Sequence, residues 1–273
     1  MPVMASKIRV DDIEYAVHFQ GFDAPLHVQT STDSVIKLQP WYFTDYLSSL
    51  GRCIHPVADG LKLDSECLTR EVLSYNNIPI SLQHELTPIA LWWAIGGEHK
   101  PVKIKSDEMT LGEYEFRIRS WTAKERMEAL AKCLNEPTTD SMEFDFIQYI
   151  ELMIRASVIR ITPSINLEDL NAARTSELLE VVTLLNVAES LTDEIAVWGS
   201  TQGLQQMLQS TLHLCKVLGW GPSQIWSLPA AEIDRLMAML ELLDTSGTKK
   251  TTAHSSGFAS DPNAVVINIV EDE

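Results

Sequence analysis

Two aspartates, Asp64 and Asp145, stand at matching places in a chain that repeats itself, and paired carboxylates are the usual apparatus of general acid–base chemistry. Such chemistry needs a neighbour that tunes or relays the proton, yet no His, Ser or Lys recurs beside both residues. Each aspartate precedes a helical pattern, so each is predicted to be an N-cap whose carboxylate accepts first-turn backbone N–H groups. Gln148, three residues past Asp145, completes a capping-box-like arrangement. Nucleophiles and metal ligands fare no better. Cys53, Cys67, Cys133 and Cys215 form no C-x-x-C pair, and the histidines at 18, 27, 55, 84, 99, 213 and 254 never take a ligand spacing. Cys53 and Cys133, late in two similar amphipathic runs, read as small apolar core residues. Gly96-Gly97 stands alone rather than in a phosphate-cradling loop, and there is no nucleophile elbow. The expectation is a protein with no catalytic residues, no cofactor and no metal; an enzyme whose residues converge only in three dimensions is the alternative.

Residue types suited to contact are more plentiful. Trp92 and Trp93 are adjacent in a helical run, pointing about a hundred degrees apart, so one is expected in the core and the other at its boundary or against a partner. Large aromatics carry much of the energy of protein interfaces. Trp92, Trp93, Trp220 and Trp226 are therefore the candidate protein-binding residues, with Val266, Ile267 and Ile269 of an apolar, strand-grade segment that could add to a sheet edge.

The elements that must position these residues come from a duplication. Val35-Ile36-Lys37-Leu38-Gln39-Pro40-Trp41 and its amphipathic run to Ile54 recur eighty positions later as Glu115-Phe116-Arg117-Ile118-Arg119-Ser120-Trp121 and its run to Leu134. Trp41 falls on Trp121, Leu50 on Leu130 and Cys53 on Cys133; Leu61-Lys62-Leu63-Asp64 then meets Met142-Glu143-Phe144-Asp145, one residue out of register. Alternating apolar residues predict strands over 7–38, with a hairpin between Leu26–Gln29 and Val35–Gln39. A helix is expected from Phe43, capped by Thr44 and ended by Pro56 to Gly60, then one from Asp64 and one over Leu82 to Ile95. The second copy is read as a hairpin of Pro101–Lys105 with Tyr114–Arg119, a helix Ala123 to Leu134, a helix Phe146 to Val158 and a helix Leu167 to Leu185. The predicted class is α+β: two β-hairpin-plus-helices repeats over 1–98 and 99–187, a helical hairpin over 188–243 and a flexible acidic tail over 244–273 with a strand-like end.

Composition narrows the partners. Twenty-one basic against 38 acidic residues give a net charge of −17, opposite to what phosphate neutralisation requires, so nucleic acid is excluded as an expectation. The helix-turn-helix suggested by the Gly219-Trp220-Gly221-Pro222 turn fails on the same ground, since Lys216 and Arg235 face six carboxylates in that segment. The longest apolar run, Ile89 to Gly96, is far below the roughly 20 residues of a membrane span, and Asp11, Asp12 and Glu14 stand where a signal peptide needs an apolar core, so a cytoplasmic protein without membrane contact is expected. A chain of 273 residues can bury roughly three quarters of its unfolded surface, enough for a core without metal or disulfides.

A strand–turn–strand entry followed by Phe116-Arg117-Ile118-Arg119-Ser120-Trp121-Thr122-Ala123-Lys124-Glu125-Arg126 resembles small cytosolic proteins encoded with contractile phage tails, the tail assembly chaperones and baseplate hub assembly proteins. Leu218 to Ile233, a turn and then a helix after Leu228-Pro229, is similar to their short helical ends. The chain departs from that pattern by carrying the unit twice and adding an acidic tail. The resemblance implies a non-enzymatic binder of a phage tail or baseplate protein, acting in the host cytoplasm. A permanent baseplate component and an adaptor unrelated to phages are the other readings.

Overall fold

A computed structural model describes residues 6–57, 60–97, 107–134, 144–187 and 201–252. The fold is mixed α+β, with helices and antiparallel sheets. Strands β1 (Ser6–Val10), β2 (Ile13–His18), β3 (Leu26–Gln29) and β4 (Val35–Leu38) form one sheet in sequential antiparallel order. Asp11 and Asp12 join the first pair with φ of 47° and 65°, the double positive φ that matches a tight hairpin to strand twist. Period-two patterning sends Tyr15, Val17, Leu26, Val28 and Leu38 into the core.

Helix α1 (Phe43–Cys53) follows Trp41 and leads through the hairpin β5 (Ile54–Val57) and β6 (Gly60–Leu63) into α2 (Ser65–Tyr75) and α3 (Ile80–Ala94). The second copy is β7 (Glu108–Leu111), β8 (Tyr114–Ile118), α4 (Ala123–Cys133) and α5 (Phe146–Ser157), after which β9 (Val158–Thr162) pairs with β8. A single 3-10 turn (Leu167–Asp169) precedes α6 (Ala172–Asn186), and α7 (Thr201–Leu218), α8 (Pro222–Trp226) and α9 (Ala230–Thr252) complete the described chain.

Trp41 and Trp121 occupy equivalent, fully buried positions. The Asp64 N–H donates to Cys53 O at 2.8 Å and the Asp145 N–H to Cys133 O at 2.7 Å, so each second helix starts against the end of the first. Both aspartates are N-caps, accepting from Cys67 N and Gln148 N at 2.9 Å. A further correspondence closes each unit. Phe43 N donates to Leu170 O and Ala172 N to Trp41 O, both at 2.8 Å; Ala123 N donates to Leu228 O at 2.9 Å and Ala230 N to Trp121 O at 3.0 Å. Leu170-Asn171-Ala172-Ala173 and Leu228-Pro229-Ala230-Ala231 are thus two copies of a clasp, each bonded across the Trp-bearing segment and each opening a cover helix, α6 or α9. A contiguous core runs from Tyr15 through both units to Ala230, and Gly51 lets α5 approach α1 because the Ile147 side chain fills the place a Cβ would take.

Several expected boundaries move. The N-cap of α1 is Tyr42 rather than Thr44, because the clasp already holds the Phe43 N–H. Pro56, Val57 and Gly60 are paired residues of β5 and β6 instead of a plain stop. The partner of Tyr114–Ile118 is Glu108–Leu111, turning at Gly112, while 101–106 lie outside the described residues. Val158 begins a strand, Leu170-Asn171 interrupts the helix expected from Leu167, and α9 runs to Thr252, past the expected boundary at 243.

The cysteines also correct the expectation. Cys53 is bonded to Cys67, 14 residues on, joining the end of α1 to the first turn of α2, whereas Cys133 is a buried free thiol. Burial pushes the Cys133 thiol up to about 12, which makes it inert. A bridge closing a loop of that length is worth about 3 kcal/mol. Urea unfolding of Cys67→Ser, or of the protein under reductant, is expected to show that loss, with no further loss when the two are combined.

Candidate protein-binding surfaces

The paired tryptophans pack on the loop after β2. Trp93 is 1 % exposed, donates its indole N–H to Gln39 O at 2.9 Å and stacks on Phe22 at 5.0 Å between ring centroids. Trp92, half-buried, meets Phe19 edge-on at 5.7 Å and Phe22 at 5.4 Å. Their differing directions are both satisfied by the two phenylalanines, so α3 is fastened to the loop after β2 and Trp93 is out of a partner's reach. Trp226 is half-buried against the small cluster of Ala123, Leu214, Ile225 and Ile233. Trp220, in the turn after α7, is 40 % exposed. Val266, Ile267 and Ile269 lie outside the described residues.

The last helices carry what sequence reasoning missed. Leu208 and Leu212 are one turn apart on α7 and both exposed, Leu212 at 64 %; Val217 and Trp220 are exposed at its end, and Met239 is exposed on α9. The buried stripe is Met207, Thr211 and Leu214, about a hundred degrees from Leu208 and Leu212. Leu208 and Leu212 share one face of α7, while Val217, five residues beyond Leu212, points about 140° away from it; exposed large apolar side chains such as the leucine pair are candidate contact sites.

A second feature is a polar cleft of about 310 Å³ between α1 and α2, lined by Trp41, Asp45, Ser48, Arg52, Glu71 and Tyr75, with Ser49 and Ser74 also on its wall. Arg52 is committed to Glu71, its Nε donating at 2.8 Å, and to the Ser49 hydroxyl at 3.1 Å. The lining holds hydroxyls and carboxylates with no imidazole or amine beside them, so what it offers is hydrogen bonding and charge for a ligand rather than an activated nucleophile. Among the described residues no group of three or more His, Cys, Asp or Glu is disposed to hold a metal ion.

The counterpart of Asp45 in the second unit, Glu125, is paired from within. Thr122 and Glu125 form a reciprocal capping box, and Arg119 grips Glu125, its Nη1 donating to Oε2 at 2.9 Å. The Arg119 guanidinium, then the Thr122 bonds, hold the Glu125 carboxyl down at about 2 against burial, which acts the other way. A depressed carboxyl stabilises the fold above its unfolded value of 4.5, and that contribution is lost as pH falls from there toward about 2. Glu125→Gln is expected to flatten this part of the acid unfolding curve followed by tryptophan fluorescence.

No helix of the described residues is long and apolar enough to cross a membrane. Compared with family models, curated proteins and solved structures, the chain matches none.

Proposed function

We propose that this protein is a non-enzymatic protein-binding factor in the assembly of a contractile phage tail or phage-tail-like particle, holding a tail or baseplate hub subunit until it is incorporated. The observation that carries the binding role is the exposed pair Leu208 and Leu212 on one face of α7, with Trp220 exposed in the turn after it. The resemblance of the Phe116–Arg126 and Leu218–Ile233 segments supports the tail setting. An acidic chain with exposed apolar side chains can cover a client's apolar face or sheet edge while its net charge of −17 keeps the pair soluble.

Co-expression with tail-tube, sheath and hub subunits encoded beside the gene tests this. A soluble complex with one of them is expected, and Leu212→Glu with Trp220→Ala is expected to abolish it without lowering Tm. Capture of none of those subunits overturns the reading. Mass spectrometry of purified particles separates a chaperone, absent from them, from a permanent baseplate component, present in them. The host cytoplasm is the proposed site of action. Cytosolic reductants keep such cysteines as thiols, so alkylation in intact cells is expected to trap Cys53 and Cys67 unpaired, and the bond to form after lysis.

A further inference from the structure

One of the differences between the two units describes a ligand. In the second unit, the residue two before the tryptophan, Arg119, is anchored by its own N–H to Ser157 O at the end of α5 and lays its guanidinium on Glu125, the third residue of α4. In the first unit the same backbone position is Gln39, anchored by its N–H to the Asn76 side chain at the end of α2. The third residue of α1 is Asp45. The acid is therefore repeated and the base is not. Among the described residues Asp45 has no ion-pair partner, and it lines the cleft between α1 and α2.

We propose that this cleft binds the guanidinium of an arginine side chain from a partner polypeptide, seated on Asp45 as Arg119 sits on Glu125. The lining fits that chemistry. Two carboxylates, Asp45 and Glu71, face one committed cation, Arg52, which leaves one negative charge to be neutralised. Ser48 and Ser74 supply hydroxyl acceptors for the N–H groups a carboxylate leaves over. Tyr75, 47 % exposed and edge-on to Trp41 at 6.0 Å, offers an aromatic surface, on which a planar guanidinium stacks better than an ammonium. A volume of about 310 Å³ accommodates one such side chain. The inference rests on the protein-binding reading for the source of the arginine, while the cleft's chemistry stands apart from it.

Titration of the full chain with N-acetylarginine amide, N-acetylcitrulline amide and free arginine, followed by NMR of the Trp41 indole and Tyr75 ring signals, tests it. Saturable shifts are expected with blocked arginine, at least tenfold weaker ones with citrulline, which keeps the shape and loses the charge, and no gain for free arginine. Asp45→Asn is expected to weaken blocked arginine at least tenfold with Tm unchanged. Gln39→Arg, which rebuilds the Arg119 arrangement, is expected to abolish binding by occupying the cleft from within. Equal binding of citrulline, undiminished binding by Asp45→Asn or Gln39→Arg, or no saturable shift in the unmodified protein each overturns the proposal. Tenfold tighter binding of free arginine overturns the polypeptide source, since the site would then be reading the amino acid's own termini. The Leu212→Glu and Trp220→Ala variant is expected to titrate like the parent, so a failure of client capture and a failure of the cleft are told apart.

Discussion

Replacing Asp234 by alanine is expected to remove about 3–5 kcal/mol of stability, measurable as a lowered urea midpoint. Arg126 on α4 is 1 % exposed, and its two terminal nitrogens donate to the two carboxylate oxygens of Asp234 on α9, Nη2 to Oδ1 at 2.7 Å. This fork joins residues 108 apart and ties the cover helix to the second unit beside its clasp. The loss exceeds the net worth of the pair, because the variant removes the carboxylate to which both terminal nitrogens of a dry guanidinium donate. Arg126→Met combined with Asp234→Leu is accordingly expected to recover most of the loss. If Asp234→Ala cost under about 1 kcal/mol, the pair would be behaving as an exposed bridge does, and the burial of Arg126 would be wrong.

Gly96→Val is expected to cost on the order of 4 kcal/mol, from backbone strain and overpacking together. Gly96 ends α3 at φ +84°, its N–H donating to Trp93 O and that of Gly97 to Trp92 O at 2.8 Å, the paired bonds of a Schellman ending. A Cβ there would overlap the Cα of Ala173, backbone of the first clasp that cannot give way. Gly112→Ala is the control: φ is also positive, but the overlapping group is the end of the Arg174 side chain, which can move aside. Thermal unfolding should therefore separate the two, with Gly112→Ala losing only about 1 kcal/mol.

The features readable in the sequence were those carried by neighbours along the chain. Asp64 and Asp145 show their capping role because their bonding partners lie three residues on, and Trp41 and Trp121 announce the duplication because each heads an amphipathic run. What depends on distant partners was not readable. Leu170-Asn171 looks like helix until the Phe43 N–H and Trp41 carbonyl claim its backbone, and Val158–Thr162 continues the apolar run of α5 yet turns to strand because β8 lies open beside it. The cleft escaped notice for a subtler reason. Aligning the copies emphasises what they share, Asp45 with Glu125, whereas the proposed site follows from a place where they part, Gln39 against Arg119.

The clasps have a consequence for how the molecule is made. A ribosome that has delivered the strands, the tryptophan and the helices of the first unit still withholds Leu170 to Ala172, without which the Phe43 amide and the Trp41 carbonyl have no backbone partner. The second unit waits in the same way for Leu228 to Ala230. Each half is thus sealed by a stretch translated well after it, so nascent chains arrested before residue 170 should be protease-sensitive throughout, and completion should propagate from the first half to the second in the order of synthesis.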